Sequence, residues 1–285
     1  MSIVVENVSY RYAAGTPLES AALKQISFTI QPGEFIGILG HTGCGKSTLI
    51  QLIAGVLTPA TGRILLDGKD INQRDFKREY LRKKVGIVFQ FPEQQLFEMT
   101  VERDVSFGPR QLGLPPSEVQ ARTRQAIQSV GLDYETVRDL SPLTLSGGEK
   151  RRAAIAGILA MEPEILILDE PIAGLDPVTR KDFMAFIRRL HQEGKTILMV
   201  SHDIDELSAF SSRLLVLDHG ELILDNTPEK IFADKARLSE LRLGVSQPKE
   251  IVDSLREKGI DLPSDIFRYE PLLTALINRF GGQNE

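Results

Sequence analysis

The sequence predicts an α/β fold: a mostly parallel sheet with flanking helices, a small antiparallel β subdomain, an inserted helical lobe and a C-terminal helical appendage. Three observations predict it. Apolar runs of strand length recur at 35–39, 85–89, 165–168 and 196–200, separated by helical stretches, which implies buried parallel strands joined by right-handed crossovers. Residues of about 92–163 break that alternation with helical periodicity, Pro and Gly breaks and many charges. Residues from about 245 onward carry two further amphipathic helical patterns.

Taken in chain order, Ile3-Val4-Val5 and Ile26-Ser27-Phe28-Thr29-Ile30 read as strands, and Gln31-Pro32-Gly33-Glu34 as a turn. Phe35–Leu39 is a buried strand. A Gly-rich loop follows it and opens a helix over 47–53. Arg63–Leu66 reads as a strand ending in the Asp67-Gly68 turn, and Val85–Phe89 as another buried strand. After the lobe the core resumes at Ile165–Leu168 and Thr196–Val200. Leu214–Leu217, the turn Asp218-His219-Gly220 and Glu221–Leu224 predict a closing hairpin. Helices are expected over 248–258 and 264–280, the second with Leu272, Leu273, Leu276 and Ile277 on one face. The expected division is 1–244 for the main domain and 245–285 for the appendage.

The chain has 285 residues, a net charge of −5 and 42% hydrophobic residues, an ordinary composition for a water-soluble fold with a substantial core. The acidic balance argues against a nucleic-acid partner, which calls for a basic patch or stripe. One cysteine, Cys44, excludes an internal disulfide framework and suits a reducing compartment. The N-terminus has no positively charged stretch leading into a long apolar run, so no secretory signal is expected. No apolar run approaches about 18 residues, so any work at a membrane needs a docking partner there.

Gly40-His41-Thr42-Gly43-Cys44-Gly45-Lys46-Ser47 fits G-x-x-x-x-G-K-[ST] between a strand and a helix, the context that gives the match its meaning. Gly40, Gly43 and Gly45 let backbone N–H groups converge on phosphate oxygens, and the helix N-terminus, where Ser47 and Thr48 sit, adds partial positive charge. Lys46 supplies a full charge to the β/γ-phosphates of a nucleotide, and the Ser47 hydroxyl is a Mg²⁺ ligand. Asp169 and Glu170 end the strand 165–168, where ligands of open α/β sheets sit. Asp169 is the second candidate for Mg²⁺ and Glu170 the candidate general base. An acidic pair after a strand is by itself more often a helix cap; the upstream phosphate loop reverses that preference.

Leu145-Ser146-Gly147-Gly148-Glu149 resembles the LSGGQ signature of the ABC (ATP-binding cassette) ATPases, with Glu149 in place of the usual Gln. The resemblance covers about residues 1–230 and implies a P-loop NTPase of RecA-like fold that hydrolyses ATP with Mg²⁺. It also assigns roles. Ser146, Gly147 and Gly148 contact the ATP held by a partner cassette. Tyr12 stacks on adenine, Tyr10 competing for that role. Gln90 is the Q-loop residue that senses Mg²⁺ and the γ-phosphate, Ala173-Gly174-Leu175-Asp176 is the D-loop, and His202 is the switch histidine. His41, His191 and His219 read as structural or solvated, and Cys44 as a filler position. One phosphate loop and one signature per chain imply a dimer with two composite sites.

Phe91-Pro92-Glu93-Gln94-Gln95-Leu96-Phe97-Glu98 further resembles the ATPases of energy-coupling factor (ECF) importers for vitamins or transition-metal ions, the cobalt-transport group, and the run 151–157 resembles the second of its two paralogues. That likeness implies a second ABC ATPase as partner, a transmembrane T subunit, a substrate-binding S subunit and a place on the cytoplasmic face of the cell membrane. A groove near Phe91–Phe97, with Glu93 and Glu98 beside it, is expected to grip the T subunit. The appendage either joins the two ATPases or caps its own core. A soluble ABC ATPase of translation or DNA repair, or the cassette of another importer class, is the alternative reading; the single cassette, the lack of a heptad run and the lack of a basic stripe weigh against the soluble types.

Overall fold

The computed structural model describes residues 1–280. Two sheets organise it. In the larger, β3 (Phe35–Leu39), β6 (Val85–Val88), β7 (Ile165–Asp169), β8 (Thr196–Val200) and β9 (Arg213–Asp218) run parallel, and β10 (Glu221–Asn226) closes one edge antiparallel to β9. The strand order is β10-β9-β3-β8-β7-β6, so β3, which feeds the phosphate loop, sits inside the sheet. The smaller sheet, order β2-β1-β4-β5, is antiparallel and built from β1 (Ile3–Tyr12), β2 (Ser20–Ile30), β4 (Thr61–Leu66) and β5 (Lys69–Asp70). Strands β3, β7 and β8 are buried at every residue, as their unbroken apolar runs require. β1 extends well past Ile3–Val5, to Tyr12. Register shifts between Val5 and Arg11 break its alternation, which is why the pattern alone finds only its first residues.

The helices of the α/β body are α1 (Lys46–Ile53), α2 (Arg78–Lys84), α7 (Pro177–Gln192), α8 (Ile204–Phe210), α9 (Pro228–Ala233) and α10 (Lys235–Glu240). The lobe comprises α3 (Val101–Gln111), α4 (Pro116–Ser129), α5 (Tyr134–Val137) and α6 (Gly147–Leu159), with α3, α4 and α6 packed on one another. Lobe residues Val101, Val105 and Ile127 belong to the same buried cluster as Phe35 and Leu39 of β3 and Leu166 of β7. A second cluster joins the β subdomain to the other face of the large sheet and to α1. The loop between β3 and α1 is therefore braced from both sides of the sheet.

After β10 the chain continues into α11 (Gln247–Glu257) and α12 (Tyr269–Phe280). Val252, Leu262, Ile266 and Leu272 form their own small core, while Phe267 packs on Phe232 in the main one, ring centroids 5.8 Å apart. Ser246 Oγ donates to Phe267 O, and Arg268 Nε to Ser208 O. The last helix starts at Tyr269, later than the pattern predicts. Pro271 lacks an N–H and fits only the first turn, which sets the start. Its expected apolar face also divides: Leu272 is buried and Leu276 half-buried, whereas Leu273 and Ile277 are exposed beside Tyr269 and Phe280.

Candidate active site

The loop Gly40–Gly45 leaves the C-terminal end of β3 and turns into α1 through residues that only glycine tolerates. Gly40 has φ +149°, and a Cβ there would lie 2.3 Å from Leu217 O; Gly45 has φ +106°, and its Cβ would lie 2.5 Å from Ala22 O. The loop is pressed against its neighbours, and backbone is what it presents to the pocket. Lys46 Nζ donates to Gly40 O at 2.6 Å and His41 O at 3.0 Å, so the ammonium is held inside the loop's curve. Cys44 is buried, and burial pushes its thiol up and keeps it unreactive.

Tyr12, Gly40, Gly43, Gly45, Lys46, Ser47, Thr48, Gln90, Asp169, Glu170 and His202 line one pocket. Tyr12 O–H lies 3.0 Å from Thr48 Oγ1 at its rim; Tyr10 is half-buried and packs into the subdomain core, so the structure puts Tyr12 and not Tyr10 at the pocket. Ser47 Oγ donates to Asp169 Oδ1 at 3.3 Å. Burial raises the Asp169 carboxyl above its ordinary pKa, and the Ser47 hydrogen bond opposes that. A hydroxyl and a buried carboxylate are an all-oxygen donor pair beside a phosphate loop, which fits Mg²⁺. Glu170 adopts φ +48°, with its N–H donating to Val200 O at 2.9 Å. This left-handed backbone turns the side chain out of the strand line, where Oε2 lies 2.9 Å from His202 Nδ1. β7 and β8 are neighbours in the sheet, which is why residues 32 apart meet.

Ser146, Gly147 and Gly148 do not join this pocket. Ser146 caps α6: its Oγ accepts from Glu149 N at 3.3 Å, and Glu149 Oε2 accepts from Ser146 N at 2.9 Å and from Ser146 Oγ at 2.6 Å. The sequence S-x-x-E thus builds a capping box, and the Ser146 bonds hold the Glu149 carboxyl below its ordinary pKa. The three residues stand at an exposed or half-exposed helix N-terminus.

A groove does lie beside Phe91–Phe97, with a different lining from the expected one. Gln95, Leu96 and Phe97 face Phe107, Gly108, Ile158 and Met161 across it, and the Phe97 and Phe107 rings meet edge to face at 5.0 Å. Its acidic side chains are Glu79 and Asp104. Glu93 is instead half-buried with an unpartnered Oε2 and acts on the charge of buried Arg151, while Glu98 pairs with Arg110 at 3.3 Å. Sequence adjacency to Phe91–Phe97 placed the wrong acids there: the 3₁₀ turn Pro92–Gln95 rotates Glu93 inward.

Six residues lining the pocket escaped sequence reasoning: Ser20, Ala21, Ala22, Ile204, Arg242 and Leu243. Arg242 follows α10 with φ +54°. A lone arginine in a loop far along the chain forms no local pattern, so nothing short of the fold brings it to the phosphate loop.

Against known proteins, the ABC transporter family profile matches residues 23–173. The energy-coupling factor transporter ATP-binding protein EcfA2 of Clostridium perfringens is 46% identical over 285 residues, all of both chains. Its counterpart in Clostridium tetani is 46% identical over 99% of each chain. Among solved structures, cbiO1 from C. perfringens, described as part of the ABC transporter complex cbiONQ, superposes with a TM-score of 0.70 at 42% identity, covering 84% of this chain and 93% of that one. The ATP-binding cassette MJ0796, as a dimer in a post-hydrolysis state bound to ADP and Pi, gives 0.69 at 30% identity, covering 79% and 98%. With full-length likeness to curated relatives and the P-loop and signature motifs in place, the chain belongs to the ABC transporter ATPases, in their energy-coupling factor group.

Proposed function

We propose that this chain hydrolyses Mg²⁺·ATP in a sandwich with a second ABC ATPase, its paralogue, and thereby drives an ECF importer. One observation carries the composite site: the pocket that holds Lys46, Asp169, Glu170 and His202 lacks Ser146, Gly147 and Gly148, which cap an exposed helix N-terminus elsewhere. A helix N-terminus is an anion site, and ATP bound at one chain's loop supplies the anion for the other chain's signature.

In this mechanism the loop amides and Lys46 bind the β/γ-phosphates. Ser47 and Asp169 would hold Mg²⁺, with Gln90 lining the same pocket; the bound ion would neutralise developing phosphate charge. Tyr12 offers its ring to the adenine. Glu170 takes the proton of the attacking water, and His202, 2.9 Å from it, orients that carboxylate and the γ-phosphate.

No described helix is long and apolar enough to cross a membrane. The chain is therefore read as a peripheral subunit on the cytoplasmic face, held by a T subunit helix in the Phe97–Phe107 groove, with an S subunit choosing the vitamin or metal ion. The residues 245–285 are read as an appendage that joins the two ATPases; the exposed face Tyr269, Leu273, Ile277 and Phe280 supports that use over a cap on its own core.

A complementation experiment tests the sandwich. In a forced homodimer, Lys46→Ala alone disables both phosphate loops, and Ser146→Arg alone disables both signatures. Mixed, they leave one site with an intact loop and an intact signature. Recovered ATP hydrolysis in the mixture is expected; none above the single variants would refute the cross-chain arrangement.

A further inference from the structure

His41, the second residue of the phosphate loop, does more than fill a loop position. Its Nδ1 lies 2.9 Å from Thr42 O, and its Nε2 lies 2.7 Å from Asp218 Oδ1. A backbone carbonyl only accepts, so Nδ1 carries the proton and donates it. Nε2 faces a carboxylate oxygen at hydrogen-bond distance, so one cation completes the pair: a second ring proton, which makes an imidazolium–carboxylate ion pair, or a metal ion in its place. A ring fixed by Nδ1–H to a carbonyl, with Nε2 presented to a shared centre, is the way proteins orient a metal-binding histidine.

A third donor completes the set. His219 Nε2 is 3.8 Å from the same Asp218 oxygen, and donor atoms of His41, Asp218 and His219 all lie within 4.8 Å of one another. Tetrahedral ligands at about 2.0–2.1 Å from zinc stand roughly 3.3 Å apart, so an ion that takes the proton's place opens the 2.7 Å His41–Asp218 contact and draws His219 in from 3.8 Å. The His219 side chain is 80% exposed and free to close that gap. We propose that His41, Asp218 and His219 form a binding site for a borderline divalent transition metal, of the Zn²⁺ or Co²⁺ kind, with solvent at the remaining position. Two imidazole nitrogens and one carboxylate oxygen select such ions over Mg²⁺, which prefers oxygen.

The place of the site gives it a consequence. Asp218, His219 and Gly220 are the tight turn between β9 and β10, and this turn already braces the phosphate loop: Gly220 N–H donates to Cys44 O at 3.1 Å. A bound ion ties the loop's second residue to the same turn, so metal occupancy stiffens the element that holds the nucleotide phosphates.

The turn also supplies a clean variant. His219 has φ +45° and Gly220 φ +80°, a pair of left-handed residues for which Asn-Gly is the preferred sequence, so His219→Asn keeps the turn and removes the imidazole. The test titrates Co²⁺ into the purified full-length chain, without nucleotide and with excess Mg²⁺, reading visible ligand-field absorption and calorimetric stoichiometry. One Co²⁺ per chain, displaced by Zn²⁺, is expected. His219→Asn and Asp218→Asn should each weaken binding roughly tenfold or more, while His191→Gln leaves it unchanged. An unaltered melting temperature of His219→Asn separates ligand loss from misfolding. No Co²⁺ signal in the native chain, or native affinity in His219→Asn, overturns the proposal.

Discussion

Glu170→Gln isolates the chemical step from everything else the site does. The backbone at 170 is held by its N–H bond to Val200 O and by the fully buried strand before it, so the substitution leaves the fold alone. The amide keeps the length of the side chain and stays within reach of His202 Nδ1, now 2.9 Å from Oε2. What it loses is the ability to accept a proton from water. A positioned general base contributes about 10²–10⁴-fold, which at 1.36 kcal/mol per factor of ten is about 3–5 kcal/mol of barrier. The loop amides, Lys46, Ser47 and Asp169 are untouched, so ATP affinity should hold and ATP-bound dimer should accumulate. Phosphate release by the purified complex, calorimetric ATP binding and size-exclusion chromatography with ATP read the three quantities. Turnover within tenfold of the native rate would refute the assignment of Glu170 as base.

Asp169→Asn should raise the melting temperature of the nucleotide-free protein at neutral pH while abolishing hydrolysis. Burial raises the folded pKa of Asp169 above 3.8, so its favourable contribution is complete below the unfolded value and is lost as pH climbs through the folded value; a melt-versus-pH series in which the variant gains nothing above that window contradicts the reading. Glu149→Gln keeps the capping box but removes an anion from the signature, so KM for ATP should fall several-fold with little change in melting; an unchanged or higher KM counts against it. Phe97→Asp combined with Glu79→Lys should preserve ATP affinity and abolish membrane attachment, since exposed ion pairs alone contribute only about 0–1 kcal/mol each and the aromatic contact must go too; membrane pelleting at the native level would show that the groove is not the docking surface.

The parallel core was legible because a strand buried on both faces leaves an unbroken apolar run, and Phe35–Leu39, Ile165–Leu168 and Thr196–Val200 are such runs. The phosphate loop was legible because its chemistry is contiguous: cradle, cation and hydroxyl lie within eight residues. The pairing of Glu170 with His202 followed once both were assigned to strand ends. Harder features depend on geometry with no local code. Bulges hid most of β1, a 3₁₀ turn sent Glu93 inward, and Arg242 reaches the pocket only through the path of the chain after α10. His41 and His219, read from the sequence as structural or solvated, stand 178 residues apart and meet only because β9 is hydrogen-bonded beside β3.

The same dependence on the fold explains how one site can act on the other. Arg151 lies on α6, the helix that Ser146 caps, and its guanidinium donates to the carbonyls of Pro171 and, at 3.3 Å, Ala173. Those carbonyls belong to the segment immediately after Glu170. Arg151 is 8% exposed, and burial lowers its pKa, a cost that a helix surface position would not carry. The bond therefore has a mechanical meaning. In the proposed sandwich, a pull by a partner's ATP on Ser146–Gly148 would move α6 and, through Arg151, act on the backbone next to Glu170, the proposed base. Engagement of one nucleotide by the signature and alignment of Glu170 for the other would then be coupled through α6 and Arg151. Gln90 enters from the other side: it lines the nucleotide pocket, and the 3₁₀ turn just after it packs on α6. On this reading the lobe is linked to phosphate through Gln90 and through the signature, and the Phe97–Phe107 groove, built on the same α3 and α6, would move with it. A partner helix seated in that groove would receive the motion without any contact to ATP.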